Sequence, residues 1–97
     1  MASLISRLKL KNFNPTPDVM KILKRSMDRL IDLAPSDSYI GTVIEQRAGA
    51  YHCEISVNST QKRWSVLKAG ALPAEALIEA VGSLLKDLTT WKKNRFN

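Results

Sequence analysis

A single cysteine, Cys53, and a single histidine, His52, stand side by side in a chain of 97 residues. One thiol closes no internal disulfide, and two such neighbours supply neither a metal-ligand set nor a thiol–imidazole couple. Adjacent side chains on a strand face opposite sides, so the thiol is expected in the core and the imidazole outside, beside Glu54. Aromatic residues make up only 6% of the chain, and glycine and proline number four each. No glycine-rich phosphate loop, no nucleophile elbow and no spaced ligand set occurs, which reads as a non-enzyme without metal, cofactor or small-molecule substrate. No apolar run approaches the roughly 18 residues of a membrane span, and Arg7 arrives too early for a secretory apolar segment. The expectation is a cytoplasmic protein that does not engage membranes. In that setting the sequon Asn58-Ser59-Thr60 has no physical meaning as a glycosylation site.

What is abundant is positive charge. Fifteen Lys and Arg against nine Asp and Glu leave +6, with a pI near 9.8. A basic domain of this kind is suited to an anionic partner, nucleic acid foremost. With 44% hydrophobic residues the chain is apolar enough to fold, and its length suits one domain spanning residues 1–97.

The hydrophobic pattern changes period along the chain. Residues 4–13 alternate, with Leu4, Leu8 and Leu10 on one face and Ile5, Arg7, Lys9 and Lys11 on the other, a half-buried strand with a basic outer face. Thr16-Pro17 supplies a helix cap and a first-turn proline. Val19, Ile22, Leu23, Met27, Leu30, Ile31 and Ala34 then form one apolar stripe, predicting a helix over 17–34 that ends at Pro35. Segments 39–47, 50–57 and 63–68 read as strands, joined by a short Ala48-Gly49 turn and a polar connection over 58–62. Pro73 opens a second helix with Glu75 in its first turn and an apolar stripe of Leu77, Val81, Leu84, Leu85, Leu88 and Trp91. Gly82 inside that helix predicts a close approach of another element. The order is β-α-β-β-β-α, an α+β fold with a four-stranded, mostly antiparallel sheet and both helices on one face.

The cations concentrate on the helices. Lys21, Arg25 and Arg29 recur every fourth residue and stack in a column, with Lys24 adjacent and Asp28 in reach of Lys24 and Arg25. Lys86, Lys92, Lys93 and Arg95 crowd the end of the second helix, where they also complement its dipole. Helices side by side would present these groups as one basic ridge, arginine binding phosphate bidentately and lysine as a point charge. Trp64 and Trp91 have the chemistry for base stacking. Trp91 lies on an apolar stripe and is expected in the core; Trp64 is compatible with either sheet face.

The stretch Cys53-Glu54-Ile55-Ser56-Val57-Asn58, followed by Trp64-Ser65-Val66-Leu67-Lys68-Ala69-Gly70, resembles the paired strands of the hibernation-promoting factor / ribosome-associated inhibitor A family. Ala76-Leu77, Leu84, Lys86, Leu88, Thr89 and Lys92 follow the spacing of that family's last helix, and Arg25 and Arg29 fall near positions basic in it. Ile78, Ser83 and Thr90 depart from the family pattern and thin its basic patch. The resemblance implies a factor that binds the small ribosomal subunit between head and body, on the messenger and transfer RNA path. It implies inhibition of translation and ribosome hibernation under stress, with Lys21, Lys24, Arg25, Arg29, Lys86, Lys92, Lys93 and Arg95 against ribosomal RNA. The chain ends soon after the second helix, so the short form, a monomer off the ribosome, is expected. Two other readings stand beside it: a module like those that bind double-stranded RNA, with their α-β-β-β-α core, and a domain that binds a protein partner through its open sheet face or edge.

Overall fold

A computed structural model describes residues 5–95, and the side chains of residues 6–93. Six elements follow in order: β1 (Ile5–Lys11), α1 (Pro17–Leu33), β2 (Tyr39–Arg47), β3 (Ala50–Asn58), β4 (Arg63–Gly70) and α2 (Pro73–Arg95). The strands form one sheet in the order β1-β2-β3-β4. β1 and β2 are parallel, because α1 carries the chain back between them, whereas β2, β3 and β4 form an antiparallel meander. Leu4 and Phe96 lie outside the described residues.

Local chemistry accounts for the boundaries. The Val19 amide donates to the Thr16 hydroxyl at 3.3 Å, capping α1 ahead of Pro17, and Asp18 sits in the first turn where the helix dipole favours an anion. At the other end Ala34 is extended, as the residue before Pro35 must be, and its amide closes on the Leu30 carbonyl. Arg47 pairs with Ala50 across a two-residue turn in which Ala48 (φ 52°) and Gly49 (φ 79°) are both left-handed. That geometry matches the twist of the hairpin; glycine takes it freely and alanine at a cost. The Asn58-Ser59-Thr60 triplet builds the β3–β4 turn. The Gln61 and Lys62 amides donate to the Ser59 hydroxyl, while the Thr60 amide and hydroxyl both donate to Asp37, tying this turn to the start of β2. Those bonds hold the Asp37 carboxyl below its ordinary range.

The core lies between the sheet and the two helices. Ile40, Ile44, Cys53, Ile55 and Val57 point inward from the sheet, meeting Leu23, Met27 and Leu30 of α1 and Leu77, Leu84 and Leu88 of α2. The one buried threonine among them, Thr42, donates its hydroxyl to the Met27 sulfur at 3.3 Å. At the end of β4 a side chain on Gly70 would meet the Ala76 amide at 3.0 Å, so glycine lets α2 begin tight against the sheet.

Gly82 behaves differently from the expectation. It is exposed, and an added methyl group there would meet nothing within 4 Å, so no neighbour comes close. Glycine in that position only costs helix stability. Gly82→Ala is therefore expected to stabilise the protein by about 0.5–1 kcal/mol, raising Tm by roughly 2–8 °C in a thermal melt. A lower Tm would show that the exposed face of α2 is in contact after all.

Candidate nucleic-acid interface

The topology orients the two helices. β4 runs parallel to β2, and each helix turns back along the sheet from the strand before it, so α1 and α2 point the same way and pack side by side. Their C-terminal ends lie at one end of the sheet, beside the start of β2 and the turn between β3 and β4.

On α1 the side chains of Lys21, Lys24, Arg25 and Arg29 are all exposed. At 100° per residue Lys21, Arg25 and Arg29 keep to the outer surface, while Lys24 turns toward β1. The expected pairs of Asp28 with Lys24 and Arg25 do not form. Among the described residues the ion pair within 4.0 Å is Arg47 with Glu45, at 3.6 Å on the open sheet face. The cations of α1 thus project into water without a carboxylate partner.

The cations of α2 divide. Lys93 is exposed and Lys92 half-buried, close to the end of the helix; the side chain of Arg95 lies outside the described residues. Lys86 is exposed but sits on the β4 side of α2, where it shares a shallow depression of about 470 Å³ with Lys68, Glu79 and Ser83. A single ridge across both helices is therefore not what the packing makes. There is a column along α1, a cluster at the shared C-terminal end, and Lys86 apart with Lys68.

Sequence reasoning left several cations out of the site. Lys62 and Arg63 reach the same end of the sheet as Lys92 and Lys93, because β4 starts where α2 finishes. Arg7, Lys9 and Lys11 line the outer face of β1, as their alternation announces, and all three are exposed. Nothing in linear spacing joins Lys62 to Lys92.

Trp64 belongs to the core, whereas Trp91, expected there too, is only half-buried and packs against its edge. Trp64 points inward, is only 7% exposed, and meets Trp91 edge to face with ring centroids 5.3 Å apart. The Lys62 ammonium lies 5.6 Å from the Trp64 ring centre, over its face. The Trp64 indole N–H is buried without an acceptor. Trp64 therefore offers no face on which a base could stack.

His52 lies half-buried on the open face of the sheet, and Cys53 is fully buried on the opposite one, so the two are back to back as expected. Burial pushes the Cys53 thiol up to about 12. The native protein is accordingly expected to resist alkylation by iodoacetamide near pH 8, and to react once unfolded in guanidinium. The same shift sets a pH dependence. The folded thiol keeps its proton where the unfolded one loses it, so this contribution is complete below about pH 8.5 and declines as pH rises toward 12. Denaturant titrations of the native chain and Cys53→Ala across that window check the sign, the variant losing less stability. No group of three or more His, Cys, Asp or Glu that could hold a metal ion occurs among the described residues. No helix there is long and apolar enough to cross a membrane.

No protein-family model matches the chain, and no curated protein matches it in sequence. Solved structures do match. The Protein Y N-terminal domain from Thermus thermophilus superposes with a TM-score of 0.72, covering 92% of this chain and 98% of that one at 19% identity. A ribosomal subunit interface protein from Coxiella burnetii gives 0.71, covering 91% and 97% at 10% identity. At these identities the likeness is one of fold. The chain has the fold shared by Protein Y and the ribosomal subunit interface protein, the fold that its resemblance to the hibernation-promoting factor family implied.

Proposed function

We propose that this chain is a ribosome-associated factor that binds the small subunit between head and body and inhibits translation, holding ribosomes in hibernation under stress. The observation that carries the reading is the column of Lys21, Arg25 and Arg29, exposed and without carboxylate partners, on a fold shared with a ribosomal subunit interface protein. In this reading Lys21, Lys24, Arg25 and Arg29 contact ribosomal RNA phosphates along α1, and Lys92, Lys93 and Arg95 do so at the end of α2. Lys86 contributes from the β4 side. The factor works in the cytoplasm as a single domain over residues 1–97, a monomer off the ribosome, needing no cofactor, membrane or small-molecule substrate and catalysing no reaction.

Sedimentation of the protein with purified small subunits tests this. Binding is expected at about 50 mM salt and is expected to fall roughly 10³-fold by about 200 mM if six phosphates are contacted, because each contact releases counterions. Failure to pellet at the lower salt overturns the proposal. Equal affinity for a free RNA duplex would favour a double-stranded-RNA module instead.

A further inference from the structure

The two edges of the sheet are finished differently. On β4 the inward-facing positions are Trp64, Val66 and Lys68, and the exposed Lys68 places a charge where an added strand would need an apolar side chain. β1 carries no such block. Its inward positions are Ser6, Leu8 and Leu10, its seven residues pair with β2 in unbroken register, and among the described residues no strand pairs with its outer edge. α1 sits over β2, as the Thr42–Met27 hydrogen bond records, and leaves Leu8 and Leu10 only half-covered. Between β1 and α1 lies a groove of about 340 Å³, whose apolar walls are Leu8, Leu10, Met20 and Met27.

Charge decides what can occupy this edge. Arg7, Lys9 and Lys11 fill the outward positions of β1, where Glu45 of β2 lies across the ladder from Lys11, and Lys24 stands on the α1 side of the groove with Asp28 as the groove's one carboxylate. A second copy pairing edge to edge would set these cations against their own kind, which is unfavourable directly across a ladder. We infer that β1 is a docking edge for an extended acidic segment of a protein partner, added as a fifth strand. Its aliphatic side chains would fall at alternate positions into the groove, and its carboxylates would lie beside Arg7, Lys9 and Lys11. The main-chain ladder holds such a strand, and the alternation of carboxylate and aliphatic residues selects it. This surface shares Lys24 with the proposed RNA contact, lies otherwise apart from the column of Lys21, Arg25 and Arg29, and does not depend on the ribosomal reading.

The test uses the full chain labelled with ¹⁵N and with ¹³C in the methionine methyl groups, and a nine-residue peptide alternating Val and Glu, followed by amide and methionine-methyl shifts. Shifts are expected along β1 and at Met20 and Met27. A peptide with Lys in place of Glu should bind at least about 10-fold more weakly, and the surface variant Lys9→Glu/Lys11→Glu should lose about as much affinity for the acidic peptide. N-methylation of alternate peptide amides should abolish binding, since it removes the ladder but leaves the charge. The inference is overturned if the acidic peptide gives no shifts at about millimolar concentration, shifts only the helix faces, or binds equally well when N-methylated. It is also overturned if a uridine oligonucleotide perturbs the same β1 amides and displaces the peptide, which would make this edge an RNA contact.

Discussion

Replacing Lys21, Arg25 and Arg29 together by glutamate is expected to lower affinity for the small ribosomal subunit by at least about 100-fold at moderate salt. Each reversal removes an attraction to phosphate and adds a repulsion, of order 1 kcal/mol per unit charge even when screened by water. Three such changes exceed the 2.7 kcal/mol or so that 100-fold requires. All three side chains are exposed and none has a carboxylate partner within 4.0 Å, so folding loses little. The substituted column repels itself as the native one does, a matter of tenths of a kcal/mol per pair. The variant's Tm should therefore stay within a few degrees of the parent, separating lost binding from lost structure. The salt dependence should flatten as well, by roughly one slope unit for each phosphate that is no longer neutralised. Lys86→Glu, on the β4 side of α2, makes a comparison at a site removed from that column. If the triple variant still pellets with subunits like the parent, the α1 column is not the RNA-binding surface.

The other large effect is on stability. Trp64→Ala is expected to cost about 3–5 kcal/mol, because it empties a nearly closed site and strips Trp91 of its edge-to-face partner. Against the 5–15 kcal/mol typical of a whole domain, that is a large share. A fall in Tm of roughly 12–40 °C follows for a chain of this size. Trp64→Phe should be far milder, since it keeps a ring in place and removes an indole N–H that is buried without an acceptor. Thermal melts read by near-ultraviolet circular dichroism distinguish the two. A Trp64→Ala protein within about 1 kcal/mol of the parent would mean that the indole is not a core residue.

These two predictions rest on different kinds of information. The column of Lys21, Arg25 and Arg29 was legible in the sequence, because four-residue spacing within a helix is a local relation. So were the elements themselves. Thr16-Pro17 and Pro35 bracket α1, observed over Pro17–Leu33; the alternation around Cys53 marks β3; the β-branched run over 39–47 coincides with β2. Each signal is carried by residues a few positions apart and needs no knowledge of what packs against them.

Tertiary structure decided whatever joins distant residues. Trp64 fits either face of an edge strand by its own pattern; its register opposite the buried Val57 sets it on the core face, where Trp91, from the far end of the chain, meets it. Gly82 suggested a close approach that the packing does not make, because Gly82 lies on the side of α2 that faces water. Lys86 reads as part of one ridge until β4 is set beside it with Lys68. Lys62 and Lys92 share an end of the molecule because α2 runs antiparallel to β4, a relation that no spacing encodes. Periodicity determines which side of an element is buried; which elements meet, and which charges they bring together, is decided by how strands pair and how helices fill the space above them.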